Sequence, residues 1–360
     1  MKQFIIMLLV LILDVAINAY AQDFNPLTDT GQTHCYDLQG NVITCPIIGQ
    51  PLYGQDAQYI GAAPKFQENG NGTITDLNTG LIWRKETADT NGDGSISLPD
   101  KTNWWNAKNY CENSNFAGFS DWQLPTIFVL QSIYDYGRAY PPAVVNPIFE
   151  VRDNYYWSST PDINNSDQAW EVGPNGGIGV NPKTRLDYIR CVRGQEPAVN
   201  NPYVDYDDGT IGDKRTGLVW QQSTVDINDD GRIAPGGDKI KWQAALNYCE
   251  SLSLAGRSDW RLPNIRELLS IVDMTRYLPS IDPIFNSSNG GHWSSTTCAE
   301  NSSPGMNKTS DAWNVFFVSG NDYWDNKESG LHYVRCVRSG FGGGRKIVTI
   351  INYILLMSEE

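Results

Sequence analysis

An internal duplication is the feature that most constrains how this 360-residue chain can fold. The segment SDWQLPTI at residues 120–127 returns as SDWRLPNI at 258–265, which is 138 positions later. Other pairs follow in the same order: GTITDLNTGLIW with GTIGDKRTGLVW, NYCE with NYCE, YWSST with HWSST, QAW with DAW, and IRCVR with VRCVR. A solenoid requires more copies and a shorter period. The sequence therefore predicts two copies of one domain, at residues 66–194 and 203–339, with loops of different lengths.

The N-terminal residues indicate export. MKQFIIMLLVLILDVAINAYAQ places Lys2 before an apolar run, and Ala19-Tyr20-Ala21 precedes Gln22. This pattern is typical of a secretory signal peptide over residues 1–21, cleaved after Ala21. A membrane-anchoring helix is the alternative, but Asp14 and a short apolar core disfavour it. We expect a secreted or cell-surface protein, or a periplasmic one if a bacterial outer membrane is not crossed.

The remaining segments are a pre-domain stretch, a linker and a tail, at residues 22–65, 195–202 and 340–360. The tail contains an apolar run from Ile347 to Met357, which is too short to span a bilayer as a helix. We therefore expect no membrane span in the mature chain. The linker is short and contains proline, so the two copies are expected to touch.

Each copy reads as a mixed α+β domain. GTITDLNTGLIWRKE predicts a hairpin, because short β-favouring runs flank a turn-forming DLNTG. WWNAKNYCENSNF and KWQAALNYCESLSL have helical spacing, and NIRELLSIVD resumes that spacing after Asn264 or Pro263. WSST, AWNVFFVSG and HYVRCVR predict short strands, so helices precede most strands. Five tryptophans occupy equivalent positions in both copies, which favours core packing over ligand contact.

The seven cysteines suggest a disulfide framework suited to an oxidising compartment. Within each copy the simplest pairing joins a helix to the last strand, which gives Cys111–Cys191 and Cys249–Cys336. The alternative joins the two helix cysteines across the copies. Cys35 and Cys45 bracket a Gly-Asn turn and are expected to pair. Cys298 has no counterpart in the first copy and is left as a free thiol or an intermolecular link.

Two acidic loops, DTNGDGSISLPD from Asp89 and DINDDGRIAPGGD from Asp226, resemble calcium-binding loops. Alternate oxygens can surround a hard cation while the glycine at position 6 allows a sharp turn. The second loop has Gly237 at position 12, and its next acid is one place late. An Asx-rich turn that binds nothing is the alternative. The expected ligands are Asp89, Asn91, Asp93, Ser95 and Asp100 in the first loop, and Asp226, Asn228, Asp230, Arg232 and Asp238 in the second.

Composition and motifs narrow the function. The net charge of −14 disfavours nucleic acid as a partner, because phosphate binding depends on Lys and Arg. Of three histidines none recurs in the other copy, and the zinc, P-loop, dinucleotide and G-x-S-x-G patterns are missing from the sequence. The sequence leaves open a catalytic pair of carboxylates for glycoside hydrolysis. Duplication with unrelated charged residues favours repeated binding over one catalytic centre, so we expect no enzyme.

The series TGLIW, YCE, SDWQLPTI, WSST, AW and RCVR, found in both copies, resembles the Lcl C-terminal domain family, formerly a domain of unknown function. The resemblance implies a secreted or surface protein, and one collagen-like adhesin of the family attaches to sulfated glycans. More distantly the chain is similar to formylglycine-generating enzymes and the C-type lectin-like fold. That similarity implies a loop-rich, disulfide-bonded domain whose terminal strands meet. The catalytic cysteine pair and the EPN, QPD and WND sugar motifs are not present in this sequence.

Three functions follow as hypotheses. The favoured one is an exported tandem adhesion module that binds glycan or protein ligands, with one Ca²⁺ stabilising a loop in each copy. Its ligand contacts are expected from residues 161–168 and 297–311 and from exposed aromatics such as Trp324. The second is a structural surface or fibre component, linked through Cys298. The third is an enzyme of the formylglycine-generating type or a hydrolase.

Overall fold

The computed structural model describes residues 27–195, 200–234, 237–299 and 308–340. The predicted signal peptide and residues 341–360 of the tail lie outside the described residues, as do linker residues 196–199. None of the helices in the described ranges is long and apolar enough to cross a membrane.

Each copy consists of two small antiparallel sheets and two short helices, which confirms the α+β expectation in its general form. The elements of the first copy are β3 (Phe66–Glu68), β4 (Thr73–Asp76), β5 (Ile82–Arg84), α1 (Trp104–Glu112), α2 (Ile127–Gln131), β6 (Tyr156–Pro161), β7 (Gln168–Val172), β8 (Ile178–Pro182) and β9 (Val192–Arg193). Those of the second copy are β10 (Tyr203–Asp205), β11 (Thr210–Asp213), β12 (Leu218–Gln221), α3 (Trp242–Ser251), α4 (Ile265–Ser270), β13 (Gly291–Thr297), β14 (Asp311–Phe316), β15 (Asp322–Asn326) and β16 (Val337–Ser339). The pre-domain segment adds a two-stranded sheet of β1 (Cys35–Tyr36) and β2 (Val42–Ile43).

The last strand of each copy returns to its first sheet. The sheet orders are β3-β4-β5-β9 and β10-β11-β12-β16, so the beginning and the end of each domain lie side by side. The register pairs Trp83 with Val192 in the first copy and Trp220 with Val337 in the second. The other two sheets are meanders, β6-β7-β8 and β13-β14-β15. The expectation that terminal strands meet is confirmed.

Local capping explains where the helices begin. Asn103 accepts a hydrogen bond from the Asn106 N–H ahead of α1, and Thr126 does the same for Val129 ahead of α2. Asn264 caps α4 and forms a capping box with Glu267. The helix that we expected to continue to Val272 ends at Ser270. The prediction that Asn264 precedes this helix is confirmed.

The recurring tryptophans form the cores, as the duplication suggested. All ten members of the five pairs are buried: Trp83 and Trp220, Trp104 and Trp242, Trp122 and Trp260, Trp157 and Trp293, and Trp170 and Trp313. The tryptophans that begin α1 and α3 also satisfy their indole N–H groups: Trp104 Nε1 donates to the Ser158 carbonyl and Trp242 Nε1 to the Ser294 carbonyl, both at 2.8 Å. Trp83 Nε1 and Trp220 Nε1 have no hydrogen-bond partner among the described residues. A large apolar ring with a satisfied polar edge can be buried without an unpaired donor.

Three disulfides fasten this scaffold, and they are the pairs that we predicted within each unit. Cys111–Cys191 and Cys249–Cys336 each join a helix to the segment that leads into the last strand, and Cys35–Cys45 closes the pre-domain hairpin. The alternative bridge between the two helix cysteines is therefore wrong. Cys298 is outside these bridges and is buried, which disfavours an intermolecular disulfide through its thiol.

The two copies pack against each other, as expected from the short linker. The rings of Tyr136 and Trp313 meet edge to face with centroids 5.5 Å apart. The Asp322 carboxylate of the second copy accepts hydrogen bonds from Ile178 N at 2.8 Å and Gln131 Nε2 at 3.2 Å in the first. Arg266 of the second copy donates to the Ser132 carbonyl at 3.1 Å. Polar and aromatic contacts thus join the copies into one body.

The pre-domain segment packs mainly on the second copy. Gln32 exchanges two hydrogen bonds with the Thr297 backbone, at 2.7 and 2.9 Å. The buried Asp56 carboxylate accepts from the Thr30 and Thr296 hydroxyls at 2.8 and 2.7 Å. Burial raises the pKa of Asp56 to about 7, against the opposing effect of these two donors. This segment is therefore an integral part of the fold.

Candidate functional site

The acidic side chains of the first loop accept hydrogen bonds from backbone N–H groups of the same loop. Asp89 accepts from Gly92 N at 2.7 Å and Gly94 N at 2.8 Å, and Asp93 accepts from Ser95 N at 2.8 Å. Asn91 Oδ1 accepts from Asp93 N at 2.9 Å. Because a carboxylate oxygen has two lone pairs, each of these single bonds leaves acceptor capacity. The side chains at positions 1, 3 and 5 thus all accept hydrogen bonds from the backbone of their own loop.

Asp100 has a different role in this geometry. It is fully buried, and its carboxylate accepts from Thr90 N at 2.9 Å, Ser97 N at 2.7 Å, and the Ser97 hydroxyl at 3.3 Å. Burial raises the pKa of Asp100, but the backbone donors outweigh burial and hold it below its ordinary value. Asp100 therefore closes the loop by joining its two ends.

The second loop is closed in the same way despite its shifted spacing. Asp238 is also fully buried and accepts from Ile227 N at 2.9 Å and Ala234 N at 2.6 Å. The donors at Ala234 and Ile227 lower its pKa below the ordinary value, although burial opposes them. The acid that lies one place late in the sequence thus occupies the place of Asp100, because the extra residue is absorbed within the loop.

The remaining oxygens of the second loop resemble those of the first. Asp226 Oδ2 accepts from Gly231 N at 2.8 Å, Asn228 Oδ1 from Asp230 N at 3.0 Å, and Asp230 Oδ1 from Arg232 N at 2.8 Å. Asp226 Oδ1 is buried and has no hydrogen-bond partner among the described residues. Across the ranges that the structure describes, no group of three or more His, Cys, Asp or Glu side chains has a metal-binding arrangement. Each loop carries two aspartates and an asparagine at alternate positions, and their side-chain oxygens are of the type that Ca²⁺ binds in proteins.

The other sequence-predicted contact residues are placed differently. Trp324 pairs with Trp313 in the register of β14 and β15, and their rings meet edge to face at 5.5 Å. Trp324 is therefore half-buried against the core. The 161–168 connection is described and is mostly exposed, whereas residues 300–307 of the 297–311 connection lie outside the described residues.

An exposed tryptophan that sequence reasoning did not select lies on α1. Trp104 and Trp105 are consecutive in the helix, so one ring faces the core and the other faces solvent. Trp105 is 51 % exposed, and its ring centroid lies 6.4 Å from that of Trp104. Lys108 is three residues after Trp105 and therefore neighbours it on the helix surface. The sequence feature that could have indicated this exposed tryptophan is KTNWWNAK, a tryptophan pair between lysines in an acidic chain.

Cations stack on the aromatic rings around this tryptophan. Lys108 Nζ lies 5.0 Å and Lys183 Nζ 4.4 Å from the Trp104 ring centroid, and Lys101 Nζ lies 5.3 Å from the Tyr188 ring centroid. The segments that carry them are adjacent, because Thr102 N donates to the Asp187 carbonyl and Trp104 N to the Lys183 carbonyl. We call the exposed Trp105 with Lys101 and Lys108 the Trp105 face.

The second copy keeps the scaffold of this face but not its exposed parts. Lys239 and Lys327 stack on Tyr333 and Trp242 at 5.1 and 4.6 Å, as Lys101 and Lys183 do in the first copy. Gln243 stands at the position of Trp105, and the buried Leu246 stands at that of Lys108. The two copies have therefore diverged at this surface, while these two cation–ring contacts are the same in both.

The family model for the Lcl C-terminal domain matches residues 72–193 and 209–338, which is most of the chain. The chain belongs to the Lcl C-terminal domain family. No curated protein matches the sequence as a relative. The two Lcl C-terminal domains correspond to the two copies described above, so both acidic loops and the Trp105 face are parts of this family's scaffold in this chain.

Proposed function

We propose that this tandem Lcl C-terminal domain protein is an exported, non-enzymatic adhesion module that binds acidic glycans through the Trp105 face. The observation that carries the proposal is an exposed tryptophan beside lysines on a chain whose net charge is −14. An aromatic ring offers an apolar surface to a sugar ring, and ammonium groups attract sulfate or carboxylate substituents. The disulfides support a location outside the cytoplasm.

An acidic protein can bind an acidic glycan where its positive charges are locally concentrated. Lys108 neighbours Trp105 on the surface of α1 and Lys101 lies three residues before the helix, while the screening length at physiological salt is about 8 Å. Distant carboxylates are therefore screened more strongly than the lysines. We expect affinity to fall steeply as salt concentration rises.

Binding of a sulfated glycan, measured on a glycan surface with the mature chain, tests this proposal. Trp105→Ala should reduce affinity at least tenfold, since burial of a large apolar side chain contributes about 1.5–3 kcal/mol. Gln243→Ala, at the equivalent helix position of the second copy, is the matched control and should leave affinity unchanged. Equal binding by the Trp105→Ala protein and the parent would reject the face as the contact surface.

We further propose that Ca²⁺ stabilises the acidic loops. Asp89, Asn91 and Asp93 would hold the ion with the Ser95 carbonyl, and Asp226, Asn228 and Asp230 would do so with the Arg232 carbonyl. Asp100 and Asp238 would keep each loop closed. The ion supplies positive charge that offsets repulsion among the loop carboxylates.

Calcium should raise the melting temperature of the parent and EDTA should lower it. Asp93→Asn and Asp230→Asn remove one charge from each loop without changing side-chain size, and each should weaken the calcium response. Identical melting curves with calcium and with EDTA would identify both loops as Asx-rich turns only.

A further inference from the structure

Two carboxyl groups are buried together at the three-stranded sheet of the first copy. Glu171 lies in β7 and Asp187 follows β8, and they are 1 % and 0 % exposed. Arg185 Nη1 donates to Glu171 Oε1 at 3.0 Å, and its Nε lies 3.2 Å from Asp187 Oδ2. When both acids are ionised, this group of three side chains carries one excess negative charge.

Apart from the Arg185 ion pair and the contact between the two acids, the carboxyl pair retains oxygens that accept no hydrogen bond. Asn181 Nδ2 donates to Glu171 Oε1 at 2.6 Å, but Glu171 Oε2 and both Asp187 oxygens have no hydrogen-bond partner among the described residues. Burial, and then the neighbouring Asp187 charge, raise the pKa of Glu171 to about 8, and burial raises the pKa of Asp187. Around neutral pH the pair therefore retains a proton where a further cation could lie.

The second copy shows what normally covers this position. Its equivalents of Glu171 and Asp187 are Asn314 and His332, and Asn314 is paired in the sheet with Tyr323. The Phe316 ring lies 5.2 Å from that of Tyr323 and 5.8 Å from that of His332, measured between centroids. An aromatic lid thus covers a pair of side chains that carries no carboxylate.

Both lid residues are glycine in the first copy. Gly173 stands at the position of Phe316, and Gly179, the cross-strand partner of Glu171, stands at that of Tyr323. A Cβ atom built on Gly179 meets no atom within 4 Å. The sheet face is therefore open at Gly179. A Cβ atom built on Gly173 would lie 3.2 Å from Tyr155 Cε1, so the Tyr155 ring bounds the other side. We call this space, bounded by Tyr155, Glu171, Gly179, Arg185 and Asp187, the copy-1 hollow.

A cation already occupies one side of the hollow. The Arg185 guanidinium lies 4.5 Å from the Tyr155 ring centroid while it contacts both acids. Tyr155 is 39 % exposed and the Arg185 side chain is 33 % exposed, so both reach the surface. An aromatic wall with buried carboxylates is the environment that binds ammonium and guanidinium groups.

We propose that the copy-1 hollow binds an organic ammonium group, such as the amine of an unacetylated amino sugar. The ammonium would enter over Gly179, lie against Tyr155, donate to Glu171 Oε2 and Asp187, and replace the proton that the pair retains. Arg185 would shift towards solvent. A divalent metal ion fits less well, because the described residues that bound the hollow supply two carboxylates and Arg185 already contacts both.

Calorimetric titration of the mature chain with glucosamine at pH 7.5 tests the proposal, with glucose and N-acetylglucosamine as uncharged controls. Glucosamine should bind saturably and at least tenfold more tightly than either control. Glucose or N-acetylglucosamine binding as tightly as glucosamine, or no saturable heat with glucosamine, would overturn the ammonium assignment.

Two variants locate the site. Glu171→Gln removes one carboxylate, and Gly179→Tyr restores the aromatic residue of the second copy while both carboxyl groups remain. Each should reduce glucosamine affinity at least tenfold, and Tyr323→Gly in the second copy should not change it. Because Gly179→Tyr places its ring in open space, its fold can be checked by an unchanged melting temperature. Unchanged glucosamine affinity in a folded Gly179→Tyr protein would refute the hollow as the site.

This proposal does not depend on the Trp105 face. Trp105→Ala should leave glucosamine binding intact, and Gly179→Tyr should leave sulfated-glycan binding intact. Loss of glucosamine binding in Trp105→Ala would assign the amine to that face and reject the hollow. Failure of sulfated-glycan binding alone rejects only the proposed function.

Discussion

The single difference between SDWQLP and SDWRLP has a partner six residues further on. Arg261 of the second copy donates to both carboxylate oxygens of Glu267, at 2.6 and 2.5 Å, and both side chains are buried. The first copy has Gln123 and Val129 at these positions, and the exposed Gln123 donates to the Gly194 carbonyl at 2.8 Å. Glu267→Val therefore introduces the first copy's valine into the second copy but leaves Arg261 in place of the first copy's glutamine.

We expect Glu267→Val to be strongly destabilising. Removal of one partner from a buried ion pair leaves an uncompensated charge and costs about 3–5 kcal/mol. The same change removes the bond from Asn264 N to Glu267 Oε2 at 2.9 Å, which adds roughly 1 kcal/mol for the lost capping box. At about 2–4 °C per kcal/mol, the melting temperature should fall by roughly 8–24 °C.

The double variant Arg261→Gln with Glu267→Val separates the two contributions. It completes the arrangement of the first copy and removes the unpaired guanidinium, so it should recover all but about 1 kcal/mol, the lost cap. Thermal unfolding followed by circular dichroism measures all three proteins, and Gln123→Ala in the first copy is a control that should cost less than about 1 kcal/mol. The reasoning is refuted if the double variant is as unstable as Glu267→Val alone.

Two further outcomes are expected. Burial raises the pKa of Asp322 at the contact between the copies from 3.8 to about 8, against the opposing donors Ile178 N and Gln131. Its protonated form therefore stabilises the fold at low pH, and this contribution is lost as pH rises from about 4 to about 8. Asp322→Asn should flatten the fall in melting temperature across that pH range. Parallel curves of melting temperature against pH for the variant and the parent would contradict this. Cys249→Ala with Cys336→Ala opens a loop whose ends are 87 residues apart and should lower stability by roughly 4–5 kcal/mol in denaturant titrations, whereas a loss below about 1 kcal/mol would show that the bridge constrains little.

The sequence by itself determined the duplication, the cysteine pairing within each copy and the cores. These features depend on order and spacing along the chain, and two copies of one pattern restrict the possible partners of each residue. Helix starts such as those at Asn103 and Asn264 can also be recognised from the sequence, because a cap is a contact between residues three apart. The repeat of the acidic loop in both copies was visible in the sequence too, although the role of Asp100 as a closing residue was not.

Only the tertiary structure decided which surfaces differ between the copies. The exposure of Trp105, the closing role of Asp238 and the pairing of Arg261 with Glu267 all depend on how elements fold back on one another. The copy-1 hollow depends on cross-strand register, which sets Gly179 beside Glu171 and Tyr323 beside Asn314. Such neighbours are distant along the chain, and the packing that brings them together is settled by the whole core. A linear pattern can specify a scaffold, but the empty space above a glycine exists only once that scaffold has folded.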